Sequence, residues 1–277
     1  MNLDLAVLHL VNGFCGNWLL DRIAMYEENN SLFKGGLFLA LYWWFWFSPE
    51  PDRRQANRRI IVIALVGTAL ALALNRALAD ILPFRVRPMY ALGIGFHEPS
   101  IPFHENLENW SSFPSDNATY WFALSYGLYR LKRPLGLLAM LYATVWMCMI
   151  RLYLGVHYPS DLVVGAVVGP AVVWFVERWV ARWEIFTNFV MAPIVRLEQK
   201  RPDIFYAVAF VISFELTVMF DDLRDLVRSL THQLRLAGFV DLGEGDALFV
   251  LGAAGLLVVA AAASVVVLRR RRSGAGH

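Results

Sequence analysis

His157 and Asp161 stand four residues apart in the stretch RLYLGVHYPSD, which Arg151 opens. At that spacing a carboxylate can hold one nitrogen of an imidazole ring and leave the other nitrogen available for nucleophilic attack. The guanidinium of Arg151 offers planar donors that match the oxygens of a phosphate group. The stretch therefore predicts a histidine nucleophile, an orienting carboxylate and a phosphate ligand. The alternative interpretation is a structural His157–Asp161 pair that caps the following helix.

Two other polar stretches carry residues that suit phosphate binding. Arg85 and Arg87 lie in ADILPFRVRPMY, and Ser115 lies in FPSDNATY, just ahead of an apolar run. The backbone N–H groups at the start of a helix bind anions, and a serine there adds a neutral donor. We predict that these three residues and Arg151 bind the phosphate. Taken singly, the two arginines could be interfacial residues that extend their head groups to water, and the serine an ordinary helix start.

The composition identifies the kind of chain that must position these residues. Of the 277 residues, 58% are hydrophobic and 17% are charged, whereas soluble domains carry about 25% charged residues. We therefore predict an all-α, polytopic membrane protein built as a helical bundle. Cys15 and Cys148 lack the spacing of a metal site, and no metal or cofactor is expected.

Hydropathy predicts seven membrane spans, at about 33–49, 60–82, 115–130, 134–152, 160–178, 204–220 and 247–268. The predicted organisation is an interfacial segment at 1–32, a helical core at 33–180, an extension with two further spans at 181–268 and a basic tail at 269–277. A short additional span is the alternative for the apolar residues near the N-terminus.

The charges between the spans alternate in sign. Arginine and lysine cluster between the first and second spans, between the third and fourth, after the fifth and at the C-terminus, whereas the other loops are acidic. By the positive-inside rule the C-terminus is cytoplasmic, and the three polar stretches lie at the outer face. We interpret the basic clusters as topology anchors and expect no nucleic-acid partner. Arginine outnumbers lysine 22 to 3, which is a weak indication of a GC-rich bacterial genome, and we expect the protein in a bacterial inner membrane.

The polar stretches resemble the motifs of the type 2 phosphatidic acid phosphatase family of membrane lipid phosphatases. The matching residues are Arg87-Pro88 in the first motif, Pro114-Ser115-Asp116 in the second, and Arg151, His157 and Asp161 in the third. The opening VNGFCGNWLLDRIAMY is similar to the start of bacterial undecaprenyl-diphosphate phosphatases. The resemblance implies that His157 attacks phosphorus and forms a phosphohistidine, while the arginines and the serine hold the phosphate.

Three positions depart from the family's pattern. Asp80 stands where the family has a lysine, Asn117 where it has the histidine that protonates the leaving group, and Ile150 where it has a serine. Asn117 cannot deliver a proton at neutral pH. We therefore predict that a diphosphate, which expels a phosphate, is a better substrate than an alkyl phosphate. Asp80 is predicted to pair with Arg76 or Arg85, and Arg76 to replace part of the missing positive charge.

Other polar residues have less certain roles. His97 and His104, in the outer loop, could supply the missing acid, although histidines in such loops are usually only surface residues. Glu215 lies inside the sixth predicted span, where bonding between helices explains it as well as substrate contact does.

The sequence thus predicts a membrane lipid phosphatase that acts on a polyprenyl diphosphate such as undecaprenyl diphosphate. Catalysis is assigned to His157, Asp161 and Asn117, and the predicted partners are the lipid substrate and the bilayer. Two alternatives remain open. One is a catalytically silent member that binds a lipid phosphate for transport, sensing or scaffolding, and the other is a lipid phosphotransferase.

Overall fold

The computed structural model describes residues 3–101 and 107–219, and the regular elements in this part of the chain are all helical. The α-helices are α1 Leu3–Asn12, α2 Trp18–Asn29, α3 Leu37–Trp46, α4 Pro51–Ile81, α5 Asp116–Leu131, α6 Arg133–Tyr142, α7 Met149–Tyr153, α8 Pro159–Arg178, α9 Glu184–Phe186, α10 Ala192–Lys200 and α11 Pro202–Thr217. The prediction of an all-α fold is confirmed.

Among the described residues, three helical stretches are long and apolar enough to cross a membrane. They are Pro51–Ile81, Arg133–Tyr153 and Pro159–Arg182, the second of which joins α6 to α7 through π-helical turns. Helices α3, α5 and α11 have 10, 16 and 16 residues, fewer than the roughly 20 that a membrane-spanning helix needs. The spans predicted there remain predictions. The span predicted at 247–268 and the basic tail lie outside the described residues.

Residues up to Phe186 form one compact unit, and the described residues from Thr187 onward belong to a second. In the first unit α4, α5 and α8 pack on one another. Gly165 and Gly169 allow α8 to pack closely on α5 and the residue before it. A Cβ at Gly165 would overlap the carbonyl oxygen of Ser115, and a Cβ at Gly169 would overlap that of Thr119. Small residues four apart are typical of tightly packed membrane helices. This packing brings the start of α5 against the start of α8.

The N-terminal helix α1 contributes to the same core. Leu8 is fully buried in a cluster with residues of α5, α7 and α8, and Asn12 is also buried. Asn12 exchanges two hydrogen bonds of 2.8 Å with the backbone of His97, which ties α1 to the loop after α4. The segment predicted to be interfacial is therefore packed against the helices that carry the predicted site.

Local sequence explains where the helices around the site begin and end. Helix α4 ends at Ile81, and the next residue, Leu82, is extended because it precedes Pro83. Ser115 is the N-cap of α5, and its hydroxyl accepts a hydrogen bond from the backbone N–H of Ala118. Helix α8 starts with Pro159, a residue favoured in the first turn. The three polar stretches are therefore the irregular ends of core helices.

Candidate active site

The imidazole of His157 lies buried between α7 and α8, with 1% of its surface exposed. Its Nδ1 is 2.8 Å from the carbonyl oxygen of Ser112, and its Nε2 is 3.4 Å from Nη1 of Arg87. A carbonyl only accepts and a guanidinium only donates, so Nδ1 carries the proton and Nε2 presents its lone pair. Burial lowers the pKa of His157, which favours this neutral form.

Asp161 does not make the orienting contact predicted for it. Its carboxylate is 3.7 Å from Nδ1 of His157, beyond hydrogen-bonding distance. The reason is local, because Oδ2 accepts the backbone N–H of Tyr158 at 2.8 Å and Oδ1 binds Nη1 of Arg85 at 2.5 Å. Asp161 acts on the ring electrostatically, and the Ser112 carbonyl fixes the tautomer.

Arg87 joins the two loops that meet at His157. Its side chain donates to the carbonyl oxygens of Trp110 (Nε, 3.1 Å), Ser111 (Nη2, 3.3 Å) and Val156 (Nη1, 3.1 Å). These bonds use three of the five donors that a guanidinium carries, and the contact with Nε2 of His157 uses another. They hold a buried cation beside Nε2 of His157, where the sequence predicts a phosphate ligand.

The turn at the start of α5 is attached to both neighbouring helices. The backbone N–H of Ser115 donates to the carbonyl oxygen of Asp161 at 3.2 Å. Asn75, buried in α4, donates to the carbonyl oxygen of Pro114 at 3.2 Å and accepts from the hydroxyl of Thr119 at 2.8 Å. The fully buried Ser115 is thus fixed relative to His157 through α8, and the N-terminus of α5 is held by α4.

Asp116, rather than Asn117, is the residue of this turn that the structure places near the nucleophile. Its Oδ1 lies 4.0 Å from Nε2 of His157, and 41% of its side chain is exposed. The side-chain amide of Asn117 lies 3.5 Å from the same carboxylate oxygen, at the limit of a hydrogen bond. A carboxylate therefore lies beside the lone pair, at a residue that matched the second motif but received no catalytic role in the sequence analysis.

Arg85 is held between two carboxylates. Its Nη1 is 2.5 Å from Asp161 and its Nη2 is 2.7 Å from Asp4 in α1. Asp4 also accepts hydrogen bonds from the backbone N–H and the hydroxyl of Ser160. Burial raises the pKa of Asp4, but hydrogen bonds from Arg85 and Ser160 outweigh that effect and lower it. Arg85 therefore joins α1 to α8, and its predicted role as a phosphate ligand stays a prediction.

Arg151 is buried in α7 and forms an ion pair with Glu28 of α2, in which Nη2 lies 2.7 Å from Oε2. Sequence reasoning assigned no role to Glu28. It lies 123 positions before Arg151 in an uninformative polar stretch, so no sequence signal links the two.

The remaining predicted residues lie away from these contacts. Asp80 is exposed and lies 3.7 Å from Arg76, the first of its two predicted partners. The Arg76 guanidinium stacks over the ring of Trp110, 3.8 Å from its centre. His97 is exposed, as expected of a surface histidine, and His104 lies outside the described residues. Glu215 is half-buried in α11, within the second unit.

Two residues that sequence reasoning missed have signals that could have found them. Asn75 is a polar residue inside an otherwise apolar span, and such residues are usually functional or structural. Asp4 is an acid in the first turn of an apolar helix. By contrast, the Ser112 carbonyl has no sequence signature, because every residue carries the same group.

Comparison with known proteins shows what the chain is similar to in sequence. The model of the PAP2 superfamily matches residues 60–185, a range that contains every residue predicted for the site. The chain is 23% identical, over 182 residues, to the bacitracin transport permease protein BcrC of Bacillus licheniformis, an alignment that covers 66% of this chain and 82% of that protein. No solved structure matches the chain significantly.

Proposed function

We propose that this membrane protein is a phosphatase that hydrolyses a lipid diphosphate through a phosphohistidine at His157. The match of residues 60–185 to the model of the PAP2 superfamily supports the proposal. One observation carries the proposal. The buried imidazole has its Nδ1 proton held by the Ser112 carbonyl and its Nε2 lone pair 3.4 Å from the Arg87 guanidinium. A phosphoryl group bound by Arg87 would lie next to that lone pair, where a nucleophile must be.

The proposed reaction has two displacements. In the first, Nε2 of His157 forms a bond to the terminal phosphorus, the bond to the bridging oxygen breaks, and its electron pair leaves with the lipid phosphate. In the second, a water oxygen forms a bond to the phosphorus, the N–P bond breaks and its electron pair returns to Nε2, while the water proton leaves with inorganic phosphate or passes to solvent. Arg87 and the start of α5 at Ser115 would stabilise the charge on the oxygens of the phosphoryl group under attack, and Arg151 would bind a phosphate of the same substrate.

The absence of a histidine at Asn117 favours the diphosphate substrate. General acid catalysis contributes roughly 10²–10⁴-fold, and an alkoxide needs that proton far more than a departing phosphate does. Asp116, 4.0 Å from Nε2, is a carboxylate and does not replace an imidazole at neutral pH. The lipid would be a polyprenyl diphosphate, with its chain between the helices.

We place the site at the outer face of a bacterial inner membrane. The site lies where α4 ends and where α5 and α8 begin. Residues 89–113 at this end hold three acids and no lysine or arginine, whereas the loop that joins α5 to α6 is basic. The positive-inside rule assigns basic loops to the cytoplasm. Labelling of single cysteines with a membrane-impermeant reagent would test this orientation.

Phosphate release by the purified chain in detergent tests the proposed activity. The substrates are a polyprenyl diphosphate and phosphatidic acid. We expect release mainly from the diphosphate and its loss in His157→Ala. The matched control is His97→Ala, which removes an exposed imidazole. Turnover that survives in His157→Ala would contradict the mechanism.

A second candidate function is lipid-phosphate binding without catalysis. The absence of the family's lysine at Asp80 and of its acid histidine at Asn117 favours it, because both changes remove groups that catalysis uses. The name of the relative from Bacillus licheniformis also describes transport rather than hydrolysis. Equal binding of the diphosphate by wild type and His157→Ala, with turnover in neither, would select this function.

A further inference from the structure

A buried carboxylate lies between two buried cations, one of which belongs to the site. Oε1 of Glu28 is 2.9 Å from Nζ of Lys34 and 2.9 Å from Nη2 of Arg151. The side chains of Lys34, Glu28 and Arg151 are 9%, 7% and 5% exposed. Lys34 is the only buried lysine of the chain, since Lys132 and Lys200 are both exposed.

This arrangement already binds an oxyanion. Both cationic nitrogens contact the same carboxylate oxygen, so they lie no more than about 6 Å apart, a separation that oxygens of one phosphate group can bridge. A phosphate group carries more negative charge and more acceptor oxygens than a carboxylate, so two cationic donors at this separation would bind it more strongly than they bind Glu28.

We propose that Lys34 and Arg151 form a second phosphate subsite, which Glu28 fills in the resting protein and one phosphate of a diphosphate takes over. The inference rests on the proposed function, and it adds Lys34 as a substrate ligand and Glu28 as the group that the substrate displaces. The His157–Arg87 pair binds the phosphoryl group under attack. The Lys34–Arg151 pair binds the other phosphate, which leaves with the lipid.

The chain around the subsite allows the exchange. Glu28 lies in the last turn of α2, and Asn30, the C-cap, has an extended backbone. The Glu28 side chain can therefore turn away without loss of hydrogen bonds inside the helix. Lys34 lies in a π-helical stretch, Leu32–Gly36, and another, Ala143–Cys148, ends three residues before Arg151. Such stretches occur frequently at functional sites.

The subsite would also explain selectivity for a diphosphate. Arg85, the other cation at the site, is already held by Asp4 and Asp161. A second phosphate therefore needs cations from elsewhere, and Lys34 with Arg151 supplies two of them. A monophosphate would engage one pair of cations and gain nothing from the other.

Binding of methylenediphosphonate, a diphosphate analogue with a carbon bridge that is not hydrolysed, tests the subsite without turnover. Affinity is measured by calorimetry on the full chain in detergent. Glu28→Gln removes the competing charge and keeps the shape, and we expect it to bind roughly tenfold tighter than wild type. The double variant Glu28→Gln/Lys34→Met has the same net charge as the wild type. We expect its affinity for methylenediphosphonate to be roughly tenfold weaker than that of Glu28→Gln. Glu50→Gln and Lys132→Met alter exposed residues and are the matched controls.

Each outcome decides the proposal. Unchanged affinity in Glu28→Gln, or equal affinity in the single and double variants, overturns the subsite even if phosphate release still depends on His157. The expected shifts without any phosphate release would keep the subsite and reject the hydrolase. A prenylated analogue that binds more tightly than methylenediphosphonate assigns the subsite to a lipid headgroup, and equal binding assigns it to free diphosphate.

Discussion

The imidazole of His157 is oriented by a backbone carbonyl, because its Nδ1 lies 2.8 Å from the oxygen of Ser112. Ser112 belongs to the loop that precedes α5, and that loop is fixed to α4 through the Asn75–Pro114 bond. The tautomer of the proposed nucleophile therefore depends on the packing of helices rather than on a charged side chain. Substitutions are expected to show how much the packing of the helices and how much the charged side chain of Asp161 contribute to the orientation of His157.

The acid limb of the pH–rate profile should lie below pH 6.5. Burial lowers the pKa of His157 below its ordinary value of 6.5, and only the neutral imidazole attacks. Phosphate release therefore persists as the pH falls through 6.5 and declines only when the buried ring takes up a proton. Initial rates between about pH 5 and 8 measure this. A limb centred above 6.5 would contradict the assignment, and His97→Ala should leave the profile unchanged.

Asp161→Asn should lower turnover by only about tenfold. Where a carboxylate alone fixes the tautomer of a catalytic histidine, the same change costs roughly 10⁴-fold. Here the amide oxygen can still accept from Tyr158, and the Ser112 carbonyl still holds Nδ1. The melting temperature should fall, because the ion pair with Arg85 is lost. A loss of kcat near 10⁴-fold in a folded variant would show that Asp161 is the orienting group.

Asn117→His should restore hydrolysis of a monoester. An imidazole at this position in the first turn of α5 would supply the proton that an alkoxide leaving group needs. We expect hydrolysis of phosphatidic acid to rise by roughly 10²-fold and that of the diphosphate to change little. Rates on both substrates are measured with His157→Ala added as the control. Equal effects on the two substrates would refute the explanation of diphosphate preference.

Gly165→Leu should destabilise the site as well as the fold. A Cβ at Gly165 would overlap the Ser115 carbonyl and come within 2.9 Å of the Ala118 Cβ, so α5 and α8 must separate. Overpacking of this kind costs about 1–3 kcal/mol. The matched control is Val163→Leu on the same helix, because Val163 is 63% exposed. Thermal unfolding in detergent and phosphate release are measured together, and a variant that melts like the control would contradict this account of the packing.

Sequence alone determined the features that local chemistry encodes. Apolar composition predicted the all-α membrane fold, and Ser115 marked the start of α5. The three motifs predicted a site at His157, since residues at short spacing on one segment must lie close together. Hydropathy predicted spans at 60–82, 134–152 and 160–178, and the three helical stretches long enough to cross a membrane follow these bounds except at the polar start of Pro51–Ile81.

Tertiary structure alone decided which groups form hydrogen bonds or ion pairs with His157, Arg151 and Arg85. The Ser112 carbonyl orients His157 from 45 positions away, and Glu28 pairs with Arg151 from 123 positions away. Arg85 joins Asp4 to Asp161 across α1 and α8, a pairing that no sequence signal predicted. The physical reason is the same in each case. A backbone carbonyl has no sequence signature, and a buried charge takes whichever opposite charge the packing of the helices brings within reach.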